Sequence, residues 1–209
     1  VSAAPRSPII LESANQYLNA GNIAIQLAAF LRTMGFPARA HIDGKYQVRC
    51  PQLARDAGLG EIGRMGLLMT PILGPRVRIG VVTTDAPLTP SRRVEDPSVI
   101  KFCELCKKCA ETCPSQAIAY EDRIITNGAL TWTINQEKCF SYWCEVGTDC
   151  GRCMAVCPYS HPNNPMHNLV RSLIRKAPLF RKVTYKMDDW LKGRKPPSRE
   201  LPDWMNPKN

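Results

Sequence analysis

No stretch of the sequence approaches the roughly 20 consecutive apolar residues that a membrane-spanning helix requires, so the chain is not expected to cross a bilayer. No basic segment followed by an apolar one opens the chain, which begins at Val1 rather than methionine, so no signal peptide is expected. Long-period repeats are absent as well. Acid is in short supply: 18 Asp+Glu face 28 Lys+Arg, for a formal charge of +10. That deficit points to acidic partners such as nucleic acid, an anionic membrane surface or an acidic redox protein. Hydrophobic residues at 44% and charged residues at 22% are ordinary for a globular protein, which excludes a disordered tail, a collagen and a coiled coil. A chain of 209 residues makes one domain, or two small ones sharing a core.

Cysteine, by contrast, is abundant, with 10 residues. Around it the chain alternates helix and strand signals. Residues 13–34 read as a helix with Ser13 as N-cap and an apolar face of Leu18, Ile23, Leu27, Phe30, Leu31 and Met34, stopped by Gly35 and Pro37. Residues 38–42 read as a strand, and Pro51 opens a short helix that Gly58 ends. Gly58, Gly60, Gly63 and Gly66 then mark a loop of tight turns or close approach. Residues 76–84 are β-branched and read as a strand. Three prolines in 85–100 mark a linker. Beyond the cysteines, Asn164 and Pro165 open a helix with Met166, Leu169, Val170, Leu173 and Ile174 on one face. A second helix is expected over 179–191, followed by a Pro-rich, charged tail after Gly193. The first third thus predicts an α/β layer, and the whole an α+β fold.

Cys103-x2-Cys106-x2-Cys109-x3-Cys113-Pro114 is the bacterial ferredoxin pattern, in which three close thiolates hold one iron–sulfur cube and the fourth reaches a second. A tight loop at this spacing presents several sulfurs to one cube while main-chain N–H groups point at the sulfides. Cys150-x2-Cys153-x3-Cys157-Pro158 repeats the pattern without its first cysteine. Cys139 and Cys144 are the two candidates for that place, and the assignment takes Cys139. One [4Fe-4S] cluster is then expected on Cys103, Cys106, Cys109 and Cys157, the other on Cys113, Cys139, Cys150 and Cys153. Disulfides bond poorly between neighbours at this spacing, and zinc sites lack the x3-Cys-Pro ending. Cys50 and Cys144 remain as small buried hydrophobes. Two cubes of about −2 each would lower the charge to about +6. A ferredoxin of this kind needs only about a quarter of the chain, so the rest must bind a redox partner or hold the site that uses the electrons.

The segments FCELCKKCAETCPSQAI and CFSYWCEVGTDCGRCMAVCPYSHP resemble the cluster region of the cobalamin-dependent reductive dehalogenases. AGLGEIGRMGLLMTPILGPRVRIGVVTTDAPL resembles their corrinoid-facing segment and DDWLKGRKP their C-terminal end. The resemblance runs from about residue 14 to 196. Epoxyqueuosine reductase, a sister family, usually reads GLGWIGK where this chain has GLGEIGR, and lacks GTDC. The resemblance implies a partial nitroreductase-like, cobalamin-binding domain over residues 1–88, then a ferredoxin-like two-cluster domain with helical extension over 89–209. It further implies a base-off cobalamin between them, fed by both clusters, that cleaves a carbon–halogen bond. Tyr17 would donate the proton, tuned by Arg78, with Arg76 as second choice. Gly60, Gly63 and Arg64 would contact the corrinoid. His161 and His167 are expected to have surface or capping roles, because the family uses no protein histidine on cobalt.

An arginine beside a tyrosine favours the phenolate and eases proton release, which suits an acid whose ordinary pKa is near 10. Family members carry a long stretch ahead of the tyrosine helix; this sequence starts 16 residues before Tyr17, which predicts a pocket open on one side unless other chains complete the fold. Expected partners are a small halogenated substrate and a redox donor protein or membrane anchor, in the cytoplasm or on the outer face of the cytoplasmic membrane. Two alternatives accompany this reading: a dicluster electron-transfer subunit, and an epoxyqueuosine-reductase-like RNA-modifying enzyme. Arg92, Arg93, Lys107, Lys108, Arg171, Arg175, Arg181 and Lys182 are scattered and read as a solvated face rather than a nucleic-acid groove.

Overall fold

A computed structural model describes residues 1–200 except 91, 92, 94, 95, 127 and 199, so Arg92 and the end of the expected tail lie outside the described residues. Helix α1 spans Pro8–Thr33 and starts from Ser7. Pro8 fixes the first turn five residues earlier than expected, because its ring pre-sets a helical φ. Ser13 is therefore not an N-cap; it is buried on the helix interior. Strand β1 (Ala38–His41) pairs antiparallel with β4 (Val81–Thr84), from Ala38 opposite Thr84 to His41 opposite Val81. The helix meets this ladder through small residues, with Ala24 and Ala28 at 2% and 1% exposure and Gly80 against the Ala20 carbonyl. Close approach to a two-stranded ladder uses alanine and leaves the bulky stripe outside. Leu18, Ile23, Leu27, Phe30 and Met34, expected to face the core, are all exposed.

The strand expected over 76–84 pairs only at its last four residues. The stretch before it is held by side chains instead, Arg76 donating to the His161 carbonyl at 3.0 Å and Arg78 to the Ser13 hydroxyl. Helix α2 (Cys50–Asp56) opens at Pro51 and stops at Gly58, whose φ is +78°. The glycine segment folds into a hairpin of β2 (Glu61–Ile62) and β3 (Leu68–Met69).

Helix α3 (Ser98–Cys106) begins inside the expected linker, where the Asp96 carboxylate accepts the Ser98 N–H. It joins α4 (Lys108–Thr112) through Lys107 in a left-handed conformation. The hairpin β5 (Ile124–Thr126) and β6 (Ala129–Thr131), with α5 (Gln136–Val146) capped by Asn135, fill the segment between the cysteine motifs. Next come α6 (Arg152–Ala155), α7 (Pro165–Lys176) and α8 (Pro178–Lys192). On α7 the Asn164 side chain accepts the His167 N–H as an N-cap, and Ile174 is buried while Met166 and Leu169 of the expected face are exposed.

One core gathers Met65, Met69, Phe102, Trp132, Tyr159 and Ile174 around the cysteines, so the β2–β3 hairpin packs with the second motif region. Helix α8 is clamped to α4 by charge: the Lys108 ammonium lies 2.6 Å from Asp188 and 3.3 Å from Asp189. Arg194 bridges Glu111 at 2.7 Å and Asp189 at 2.9 Å. Lys108 and Arg171 thus depart from the solvated-face reading; both are buried, Arg171 donating to the carbonyls of Tyr159, His161 and Pro162.

Candidate cluster and acid sites

All ten cysteines are free thiols. Eight of them fall into two groups of neighbours. Burial pushes the Cys157 thiol far up, and Cys103, Cys106 and Cys109 add to the push. Burial likewise raises Cys153 to about 12, with Cys150, Cys113 and Cys139 as its neighbours. The chain order within each motif is thereby crossed: Cys113 sits with the later cysteines and Cys157 with the earlier ones. The groups adjoin where Cys153 faces Cys109. Cys50 is buried as expected, whereas Cys144 is exposed on α5 rather than packed as a small hydrophobe.

The surroundings of these thiols suit inorganic cubes. Main-chain N–H groups of Arg64, Lys108, Arg152, Met154 and Tyr159 donate to the sulfurs of Cys103, Cys106, Cys150, Cys153 and Cys157. The Ala117 N–H lies 3.3 Å from the Cys113 sulfur. These turns are possible because Lys107 and Gly151 take φ of +53° and +60°, which aims successive amides inward. A cavity is walled by Cys103, Cys106, Cys109 and Cys157 together with Phe102 and Arg64. Among the described residues no three His, Cys, Asp or Glu side chains converge tightly enough to hold a single metal ion. A cube asks for something looser, one thiolate at each of four separate irons.

The second constellation lies between α1 and the stretch before β4. The Arg78 guanidinium stacks over the Tyr17 ring at 4.3 Å. Arg78 also donates to the Ser13 hydroxyl, which donates to Asp149 at 2.7 Å, and Arg78 itself lies 3.9 Å from that carboxylate. Burial raises the Tyr17 pKa; Arg78 opposes the rise, while Asp43 and Asp149 reinforce it. Tyr46 stands beside them, raised to about 12 by burial, Asp43 and Tyr17. The sequence reading found Tyr17 and Arg78 but not Ser13, Tyr46 or Asp149 in this role. The only hint was Asp149's place in GTDC, next to Cys150.

Gly60, Gly63 and Arg64, expected to hold a corrinoid, are engaged inside the protein. A side chain at Gly60 would collide with the Met69 carbonyl, and one at Gly63 with the Met69 side chain. The Gly63 N–H is bound to the Leu67 carbonyl. Arg64 has no exposure, and its guanidinium reaches the carbonyls of Cys103, Ala119, Tyr120 and Glu121. Arg64 is therefore spent inside the protein rather than facing a corrinoid, and the close return of the β2–β3 hairpin accounts for glycine at positions 60 and 63. His167 lies in the first turn of α7, where its N–H donates to the capping Asn164 side chain, while His161 pairs with Asp188 at 2.6 Å. Arg76, the second choice, is committed to the His161 carbonyl.

Residues 102–161 match the family model of the 4Fe-4S dicluster domain. The tetrachloroethene reductive dehalogenase of Sulfurospirillum multivorans is 38% identical over 198 residues, covering 91% of this chain and 39% of that protein. A solved catabolic reductive dehalogenase, NpRdhA in complex with 3-bromo-4-hydroxybenzoic acid, superposes with a TM-score of 0.82 at 34% identity, over 87% of this chain and 26% of its own. A further structure, described as suggesting a mechanism for B12-dependent dehalogenation, matches equally well. The chain thus spans about two-fifths of the length of the curated relative. Its homologues are reductive dehalogenases, which are oxidoreductases; by sequence and by fold together the chain is similar to them over 91% of its own length, and residues 102–161 match the ferredoxin-like 4Fe-4S dicluster domain.

Proposed function

We propose that this chain is the electron- and proton-delivering part of a reductive dehalogenase. The observation that carries the reading is the crossing of eight thiols into two groups of four, in a chain that also stacks an arginine on a tyrosine. In this reading Cys103, Cys106, Cys109 and Cys157 hold one [4Fe-4S] cluster, and Cys113, Cys139, Cys150 and Cys153 the other. Held there, the clusters would supply one-electron transfer from a redox donor protein or membrane anchor. Residues 89–209 form the relay domain, and residues 1–88 are part of a nitroreductase-like layer that carries the acid.

The net change is replacement of a carbon–halogen bond by carbon–hydrogen: two electrons and one proton enter and a halide leaves. Tyr17 supplies the proton from its phenol. Arg78, stacked on the ring, stabilises the phenolate left behind, and Ser13 with Asp149 fixes where Arg78 sits. Cobalamin, named for a solved relative, supplies reductive cleavage of the carbon–halogen bond when bound. Arg64 is committed to main-chain carbonyls, so no step is assigned to it.

A dicluster electron carrier without its own cobalamin is the second reading, favoured by the inward commitment of Arg64. The test is anaerobic loading followed by iron analysis, a visible spectrum and halide release from an organohalide. About eight irons per chain with corrinoid bands and halide release support the first reading. Eight irons without corrinoid bands favour the second, and far fewer irons overturn both. In the loaded protein Tyr17→Phe should stop halide release while leaving the spectra unchanged; normal turnover would remove Tyr17 from the chemistry.

A further inference from the structure

Arg64 is a buried cation without a counter-ion. It has no solvent exposure. Its guanidinium donates from Nε to the Cys103 carbonyl at 3.2 Å and from Nη1 to the carbonyls of Ala119, Tyr120 and Glu121 at 2.8, 3.0 and 2.8 Å. Its plane lies over the Trp132 ring at 4.8 Å. Every one of these partners is neutral. Among the described residues no carboxylate pairs with it, whereas Lys108 and Arg194, cations packed near the same cysteines, each hold two acids. An uncompensated buried charge costs several kcal/mol, and folded proteins avoid one by pairing it.

A second observation says where the missing negative charge lies. The Nη2 group of Arg64 is buried and has no hydrogen-bond partner. Arg64 also lines the cavity walled by the sulfurs of Cys103, Cys106, Cys109 and Cys157. A planar fork with Nε and Nη1 satisfied by carbonyls keeps Nη2 free beside these thiols, since the Arg64 charge acts on Cys103 and Cys109, and such a group can donate to an anion bound there.

We propose that Arg64 is the internal counter-ion of the first cluster: its Nη2 donates to that cluster and its charge holds the cluster's reduction potential up. This rests on the assignment of Cys103, Cys106, Cys109 and Cys157 as ligands. A cube of about −2 balances the guanidinium, and one further electron on that cube is stabilised by the same cation. Arg64 is thus a positioning residue of the relay that favours electron residence on the first cluster.

The test is a redox titration of the loaded chain followed by electron paramagnetic resonance, with the first cluster identified as the signal that Cys157→Ser disturbs. Arg64→Gln keeps polar reach but removes the charge. It should weaken one-electron reduction of the first cluster at least tenfold, about 59 mV toward negative potential, and leave the second unmoved. Arg64→Lys should restore most of the loss. Both potentials unchanged, or both moved equally, would overturn the assignment. Should Arg64→Gln fail to load, the unsubstituted chain decides the matter. Guanidino-¹⁵N arginine should couple to the reduced first cluster, and the coupling should persist in Arg194→Lys; no coupling overturns the proposal. Iron analysis separates the two failures, since far fewer than eight irons condemns the ligand assignment and eight irons with no shift condemns the role of Arg64.

Discussion

Tyr17 loses water on folding, and that loss is the largest influence on its acidity. Arg78 works in the opposite direction from 4.3 Å away. In Arg78→Gln the opposing charge disappears while the burial stays, so the Tyr17 pKa should rise above its present value. The onset of tyrosinate absorbance, isolated by subtracting the Tyr17→Phe chain, should move to higher pH, and dehalogenation should slow because the acid is weaker. A shift to lower pH would show that Arg78 does not act on the phenolate. Among the cysteines, Cys139→Ala should cost about four irons per chain and Cys144→Ala none, since only Cys139 stands with Cys113, Cys150 and Cys153. Single residues were unevenly legible. Spacing announced seven of the thiols, because a cube dictates how far apart its ligands fall along the chain, and left Cys139 and Cys144 as candidates for the eighth place. Arg64 gave no such signal: a Gly-rich loop reads as a place for a ligand, and only the folded hairpin shows its arginine turned toward the cysteines.

Helix α8 is held to α4 through a buried carboxylate. Burial pushes the Asp188 acid up, but hydrogen bonds and charge from His161 and Lys108 outweigh it and keep it below the ordinary carboxylate value. A carboxyl depressed in the folded state stabilises above its unfolded pKa, near 3.9, and that stability is lost as pH falls through the folded value. Resistance to denaturant should therefore be complete at neutral pH and decline below about 4, with a flatter acid limb in Asp188→Asn. Asp188→Ala leaves Lys108 with Asp189 alone, at 3.3 Å, and should cost up to roughly 3 kcal/mol in chemical unfolding at neutral pH. Glycines separate into two kinds by the same measurement. Gly74→Ala forces a methyl into the Tyr159 carbonyl at a φ of +59° and should cost about 2 kcal/mol or more, whereas Gly44→Ala meets open space and bears only the ~1 kcal/mol of its left-handed backbone. The starts of α2 and α7 were readable because Pro51 and Pro165 fix their own backbone, whereas Pro8 went unread and the start of α1 was placed five residues late. Helix α5 and the β5–β6 hairpin were not, since their few apolar residues are largely exposed and no periodic pattern marks them.

Across the molecule the expected apolar face of α1 is turned outward. Ile23, Leu27, Phe30 and Met34 share one exposed side of the helix, with Leu18 exposed on another, and an exposed apolar stripe of this kind normally meets another surface. Ile23→Lys with Phe30→Lys should reduce binding of a hydrophobic dye and any self-association of the chain, read by fluorescence and light scattering, without altering iron content. The two-layer contact of α1 with β1 and β4 explains why helical periodicity found the helix but misjudged its orientation: alanines made the contact and the larger residues did not. The crossing of the thiols has a mechanical consequence. Residues up to Cys113 and residues from Cys139 onward each contribute to both groups of four, so either cube rivets the same two halves together. A backbone cut anywhere between residues 114 and 138 should leave the loaded protein migrating as one particle, and stripping the iron with a chelator should release the two pieces.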